Sequence, residues 1–202
     1  MGLEIGVSLF NNKRKSNIDF VYFETVSNDE VLSYEDENFP NQKFYNNAGK
    51  SKREGIVILG FYKINKTTIS ASYTSGKYIF KEFIDNDKDY KGNKIPGIPN
   101  NTLTVSLEHK TKNKLFFNFN FKNIGSMFAD NSNSVHVSKF NTINLKIGKE
   151  FNMFKSTVYP FLILNNIFEQ EYFDNIRINA FAGRYYEPAP KRTIFGGIRV
   201  SL

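Results

Sequence analysis

The sequence predicts an all-β chain, part of an antiparallel transmembrane β-barrel, from three observations. Apolar residues recur at every second position along most of the chain. No segment carries a helical period. The segments between alternating runs are short and long in turn, as the turns at one end of a membrane barrel and the loops at the other would be.

The elements follow in order. Leu3, Ile5, Val7 and Leu9 alternate with Glu4, Gly6 and Ser8, placing a first strand near 3–10. Second and third strands are expected near 17–27 and 51–63. Ile69, Ala71 and Tyr73 between Thr68, Ser70 and Ser72 place a fourth at 68–80. Leu103, Val105 and Leu107 mark a fifth at 102–109, and Leu115, Phe117, Phe119 and Phe121 a sixth at 115–122. Ile143, Leu145 and Ile147 mark a seventh at 140–149. An eighth is expected at 156–168 and a ninth at 191–202, ending on Ile198, Val200 and Leu202. Successive strand side chains point to opposite faces, so each segment has an apolar and a polar face. Pro160 lies inside the eighth strand, where it removes a ladder donor, and predicts a bulge or a local break.

Short connections are expected at 11–16, 64–67, 110–114 and 150–155, and long ones at 28–50, 81–101, 123–139 and 169–190. Compact soluble domains rarely carry four such long loops. If the long loops face outward, the first strand descends and the ninth ends on the periplasmic side. Nine strands do not close a single-chain bacterial barrel, whose strand number is even. The chain therefore reads as a partial barrel spanning residues 1–202. The segment Met1–Val7 lacks the basic start and long apolar stretch of a signal peptide.

Composition narrows the function classes. The formal charge is +7 with no cysteine, which leaves no disulfide framework and no thiolate metal site. Many basic residues sit in short turns, as in Lys13, Arg14 and Lys15 or Lys110, Lys112 and Lys114, and no basic helix or nucleic-acid motif is present. Nucleic-acid binding is not expected. No run reaches the roughly 18 apolar residues of a membrane helix. Mean hydropathy is −0.43, a soluble average that barrels share because only alternate residues face lipid. His109 and His136 fall at opposite ends of the predicted topology, which argues against catalysis or a shared metal. Asp85-Asn86-Asp87-Lys88-Asp89 mimics part of a calcium loop but lacks the glycine and glutamate that an EF-hand needs. No catalytic residue, cofactor or metal is expected, and the chain is not read as an enzyme. Phe20, Tyr22, Tyr73, Tyr78, Phe117, Phe119, Phe121 and Tyr159 are candidates for an aromatic girdle at the membrane interfaces.

Four motifs, at residues 95–99, 166–172, 183–192 and 46–55, together resemble the C-terminal barrel of TonB-dependent outer-membrane receptors. Ile95-Pro96-Gly97-Ile98-Pro99 is similar to that family's proline-glycine-proline segment. Asn166-Ile167-Phe168-Glu169-Gln170-Glu171-Tyr172 looks like its Asn-Leu-Phe-Asp box, with Glu169 at the usual aspartate. Gly183 to Arg192 resembles the run into the last strand, and Asn46 to Gly55 the Asn-Ala-Gly-Lys stretch. The sequence departs from the family at Ile56-Val57-Ile58, where a glutamate is common, and at Leu202, where phenylalanine is usual.

The resemblance implies a barrel of about 22 strands, a plug domain and signal peptide that this chain lacks, and location in the bacterial outer membrane. It implies TonB-driven uptake of a scarce nutrient, most often an iron–siderophore complex. The implied partners are the TonB complex acting through the plug, the barrel assembly machinery, outer-membrane lipid and an iron chelate. Arg177, Arg184, Tyr185 and Tyr186 are candidate ligand contacts by residue type, and Ile198, Val200 and Leu202 a candidate assembly signal. Two other readings remain open: a passive porin-like or structural barrel, and a soluble β-barrel that binds a small ligand.

Overall fold

Pairing of period-two strands builds one sheet. The computed structural model describes residues 1–202 except Asn12, Arg14, Glu37, Pro40, Asn41, Ala48, Asn86 and Leu202; of Glu35 only the backbone is described. The sheet contains β1 (Gly2–Phe10), β2 (Ser16–Asn28), β3 (Lys50–Ile64), β4 (Thr67–Glu82) and β5 (Asn101–Lys110). It continues through β6 (Leu115–Ile124), β7 (Phe140–Lys149), β8 (Phe151–Met153), β9 (Ser156–Asn165) and β10 (Thr193–Ser201). Every neighbour is antiparallel and follows chain order, with β7 and β8 sharing one edge of β9 and β10 on the other.

The seventh expected strand forms as β7, and a tenth, β8, arises inside the connection expected at 150–155, set off from β7 by a gap for which Pro160 is the physical reason. Gly148 pairs with Phe161 and Phe151 with Val158, in one unshifted register. The two pairs between them, at Lys149 and Glu150, are missing. Proline has no N–H to give that edge, so the ladder is interrupted without a bulge. On the other edge Pro160 stays paired with Ile198.

Register aligns the apolar positions across strands. One row runs Ile69, Leu107, Phe119, Leu145, Leu164, Ile194 from β4 to β10. Another runs Val7, Phe20, Ile58, Tyr73, Leu103 from β1 to β5. Directly opposed residues share a face, so these rows form one apolar surface with no second layer over it. Leu3, Ile5, Val7 and Leu9 are all more than half exposed. Buried residues gather at the long-loop end, around Phe80, Phe83 and Ile95. A soluble sandwich would bury these rows against a facing sheet; this fold presents them outward.

The opposite face is mostly polar. Ser70, Ser106, Asn120 and Asn144 form one of its rows. Asn120 Nδ2 donates to Ser106 Oγ at 2.8 Å and Asn118 Nδ2 to Glu108 Oε1 at 3.0 Å. Val21, Val57, Leu59 and Phe61 also fall on this face, so alternation is weaker in β2 and β3. Above the apolar rows the outward face turns charged: Lys52 Nζ lies 3.2 Å from Glu24 and 2.8 Å from Glu54.

The girdle expectation needs correction. Tyr78 and Tyr159 have inward parity. Tyr159 lies over Gly148, where an added Cβ would sit 2.8 Å from its ring, and Phe161 lies over Gly197, where the distance would be 2.5 Å. Phe117, Phe119 and Phe121 do face outward. They occupy successive positions of one strand face and so run along β6 instead of gathering at one interface.

A charge placed in an outward row tests this orientation. Phe119→Lys is expected to cost about 2–4 kcal/mol of membrane-inserted stability, whereas Asn120→Lys should cost far less. Urea titration of the refolded, lipid-inserted chain measures both.

Candidate functional site

The four long connections were expected as loops, and each folds into a small hairpin. The pairs are Val31–Glu35 with Lys43–Asn47, Ile84–Asp85 with Lys88–Asp89, Met127–Phe128 with His136–Val137, and Phe173–Ile176 with Tyr186–Pro188. A two-stranded hairpin alone is marginal in water, so these depend on one another. Phe80 and Phe83 pack at 4.9 Å, Phe83 and Tyr90 at 5.3 Å, with Leu32 and Ile98 against the same cluster. That apolar knot joins the first two loops.

Asparagine side chains tie the loops further. Asn179 Oδ1 accepts from the Asn131 N–H at 2.9 Å, and Asn179 Nδ2 donates to the Ser33 carbonyl at 3.3 Å. Asn93 Nδ2 donates to the Asn131 carbonyl at 2.9 Å. Asn133 and Lys94 exchange two bonds: the Lys94 N–H donates to Asn133 Oδ1 at 2.7 Å and Asn133 Nδ2 to the Lys94 carbonyl at 2.9 Å. Each links segments far apart in sequence. An amide side chain both donates and accepts, so it can substitute for a missing backbone partner where no ladder forms.

Asp130 shapes the third loop. It accepts from the Val135 N–H at 2.7 Å, from Ser134 Oγ at 2.8 Å, and from the Ser132 hydroxyl. Partial burial pushes its carboxyl up, but those hydrogen bonds outweigh burial and hold it below the ordinary range.

The sequence motifs meet here. Asn166, 3 % exposed, accepts from the Gln170 N–H at 3.0 Å and donates to the Gln170 carbonyl at 2.9 Å and the Pro190 carbonyl at 3.3 Å. The box is therefore a turn closed by its first side chain. Its Glu169 lies 2.9 Å from Arg192 and its Glu171 3.0 Å from Lys191, so the segment before β10 returns alongside it. Pro96 is fully buried, and the N–H of Gly97 donates to the Phe128 carbonyl at 2.8 Å. Gly97 has φ +76° with Ile178 close by, a position that suits only glycine. In the Asn46–Gly55 stretch, Ser51 and Arg53 both bond Glu30; Ala48 lies outside the described residues.

A cavity of about 330 Å³ opens between the inward ends of β6 and β7 and the fourth loop. Phe140, Tyr172, Phe173, Lys122, Thr142 and Asp174 are among its lining residues. Phe140 and Tyr172 stack at 4.4 Å, and Phe173 stacks on Tyr186 at 4.3 Å. An aromatic wall beside a lysine suits a flat or anionic guest.

Arg177, Arg184, Tyr185 and Tyr186 all belong to the fourth loop. Arg177 Nε donates to Glu187 Oε1 at 2.7 Å, and its N–H to the Tyr185 carbonyl at 2.8 Å. Arg184 Nε donates to the Phe181 carbonyl at 3.4 Å. Tyr185 is raised by burial and by nearby Asp130. Tyr186 adjoins the cavity through its stack on the lining residue Phe173, and Arg177 lies between the lining residues Ile176 and Ile178. The lining aromatics Phe140 and Tyr172 were not singled out from sequence, although Tyr172 ends the quoted box.

The two histidines remain apart. His109 Nδ1 is 2.7 Å from Thr67 Oγ1 at the short-turn end, and His136 packs against Phe128 in the third loop. Among the described residues no group of three His, Cys, Asp or Glu side chains is arranged to hold a metal.

Comparison with known proteins places this geometry. The model of the TonB dependent receptor-like β-barrel family matches residues 2–180. The siderophore receptor PiuA from Acinetobacter baumannii superposes with a TM-score of 0.76 at 21 % identity, over 99 % of this chain and 28 % of that one. The ferric citrate transporter FecA gives 0.76 at 20 % identity, over 99 % and 31 %. The ferric yersiniabactin uptake receptor FyuA from Yersinia pestis gives 0.73 at 16 %, over 98 % and 29 %. The chain thus spans less than a third of each of these proteins.

Two outcomes test the loop assembly. Asn166→Ala leaves buried turn groups unpaired and is expected to cost about 1–3 kcal/mol locally, read as faster hydrogen exchange over residues 167–172. The depressed Asp130 carboxyl stabilises the third loop above the unfolded carboxylate range, and that contribution is lost as pH falls through its folded value. The protection of residues 130–137 against exchange, relative to the intrinsic rate at each pH, should therefore fall in acid in the native chain, and much less so in Asp130→Asn.

Proposed function

The chain belongs to the TonB-dependent receptor-like β-barrel family, and on that premise we propose that it is the C-terminal barrel portion of a receptor for an iron chelate. The family is one of outer-membrane transport receptors, not enzymes. What carries the finer reading is the pairing of two features. A sheet apolar outward and largely polar inward suits a wall between lipid and a wet lumen. Over its long-loop end lies a cavity with stacked aromatic walls and Lys122.

The proteins compared are receptors and transporters of siderophores, ferric citrate and ferric yersiniabactin by their own descriptions. By analogy, the guest here is a ferric chelate with aromatic or anionic groups. Tyr185 and Tyr186 contact it at the loop hairpin, with Arg184 supplying charge. Arg177 acts through Glu187, holding the hairpin that carries both tyrosines. Release into the periplasm requires the TonB complex working on a plug outside this chain. Ile198 and Val200, outward in β10 opposite Pro160 and Val158, serve as the signal read by the assembly machinery; Leu202 lies outside the described residues.

The test is uptake. A strain lacking its other iron receptors, given the gene that encodes this chain, should take up radioiron from a ferric chelate, and uptake should stop when the inner-membrane proton gradient collapses. Tyr186→Ala should weaken chelate binding by roughly ten-fold through lost stacking. Uptake that continues without energy, or free leakage of salt, would contradict the proposal in favour of a passive barrel.

A further inference from the structure

The chain's positive charge is concentrated at one end of the sheet. The four short turns with their flanking residues, 11–15, 63–66, 110–114 and 149–155, hold ten of the 27 Lys and Arg and one of the 20 Asp and Glu. They carry a formal +9, and the rest of the chain carries −2. The net charge of the protein is thus a property of its turns.

The structure places these groups on every turn. Lys13, Lys15, Lys63, Lys66, Lys112 and Lys155 are exposed, and none pairs with a carboxylate among the described residues. Glu150 is the lone acid there and is occupied by Lys110 at 3.0 Å and Lys114 at 2.7 Å. Exposed aromatics accompany the lysines: Phe10, Tyr62, Phe151 and Phe154. Phe154 is fully exposed at the tip of the last short turn, and Lys149 Nζ sits 5.0 Å over the Phe151 ring on the outward face. Tyr62 and Phe151 continue the outward apolar rows and Phe154 lies at a turn tip, whereas Phe10 has inward parity, opposite Asn17; the basic turns lie beyond them.

We propose that the short-turn end docks on a layer of anionic phospholipid headgroups, the turn lysines taking phosphate while Tyr62, Phe151 and Phe154 sit at the acyl boundary. The inference rests on the membrane reading of the fold given above. Charge complementarity supports it, and so does layout. The cations are spread over four turns along the sheet's whole width, which fits a planar layer better than the compact patch that binds a protein. Of the ten, nine are lysines, whose long stems let the ammonium reach headgroups at varied depths. Anionic surfaces attract such groups within about a Debye length, so the attraction fades with salt.

The experiment refolds the full chain into vesicles of phosphatidylcholine alone, or with three parts in ten of phosphatidylglycerol, and measures the trypsin-protected fraction against lipid concentration. The anionic vesicles should need roughly ten-fold less lipid at low salt, with the advantage lost at high salt. Lys13→Gln, Lys15→Gln, Lys112→Gln and Lys155→Gln together should abolish that preference. An equal charge change at the other end, Lys43→Gln, Lys88→Gln, Lys91→Gln and Lys139→Gln, should leave it. Equal insertion into both vesicles, or equal loss from the two variants, overturns the proposal alone. Protection in neither vesicle overturns the membrane reading and the proposal with it. A preference that survives removal of the turn lysines, with acidic protein displacing it, would assign the turns to a protein partner and overturn the lipid assignment.

Discussion

Hydrocarbon offers no hydrogen bonds, and that constraint organises this chain. Every backbone N–H and C=O that crosses it needs a partner within the protein. Antiparallel strands in chain order meet the demand wherever two strands adjoin, the outer edges of β1 and β10 having no partner strand among the described residues, and side chains then sort by parity alone. Once Leu107 lies opposite both Ile69 and Phe119, the whole outward face is determined. Pro160 shows the rule at its limit. It forfeits one donor, and the ladder on that side lapses for two pairs while the register holds on both edges.

The same constraint explains what was legible in the sequence. Strands with strict alternation, such as those at Leu103–Leu107 and Phe117–Phe121, could be placed and given faces because parity is written in residue type. Ile56-Val57-Ile58-Leu59 could not be oriented alone, since it is apolar on both sides; pairing with β2 and β4 decides it. The four motifs marked the loop junctions, yet their reason lay in three dimensions. Asn166 matters because its amide closes a turn, and Glu169 and Glu171 matter because Arg192 and Lys191 return beside them.

The loop end was the least legible region. The strands of its hairpins are two to five residues long and show no extended periodicity. What orders them is a set of side-chain amides, Asn93, Asn133 and Asn179, that join segments up to 146 residues apart. Asparagine abundance reads as composition until such partners are seen. The cavity lining was hidden for a related reason: Phe140 begins a strand and Tyr172 closes a turn box, and only the fold stacks them. The two ends of the sheet therefore follow different physics, a cooperative network of apolar contacts and amides above, and an excess of lysines over carboxylates below.

The central claim is that alternate residues face lipid while their neighbours face water. The chain contains no tryptophan, so a single introduced one reports its own surroundings. Tryptophan placed in turn at Val105, Phe119 and Leu145, and at Ser106, Asn120 and Asn144, would be read in vesicles of brominated phospholipid. The account predicts strong quenching at the first three positions and little at the second three. Equal quenching along each strand, or the inverse pattern, would contradict it.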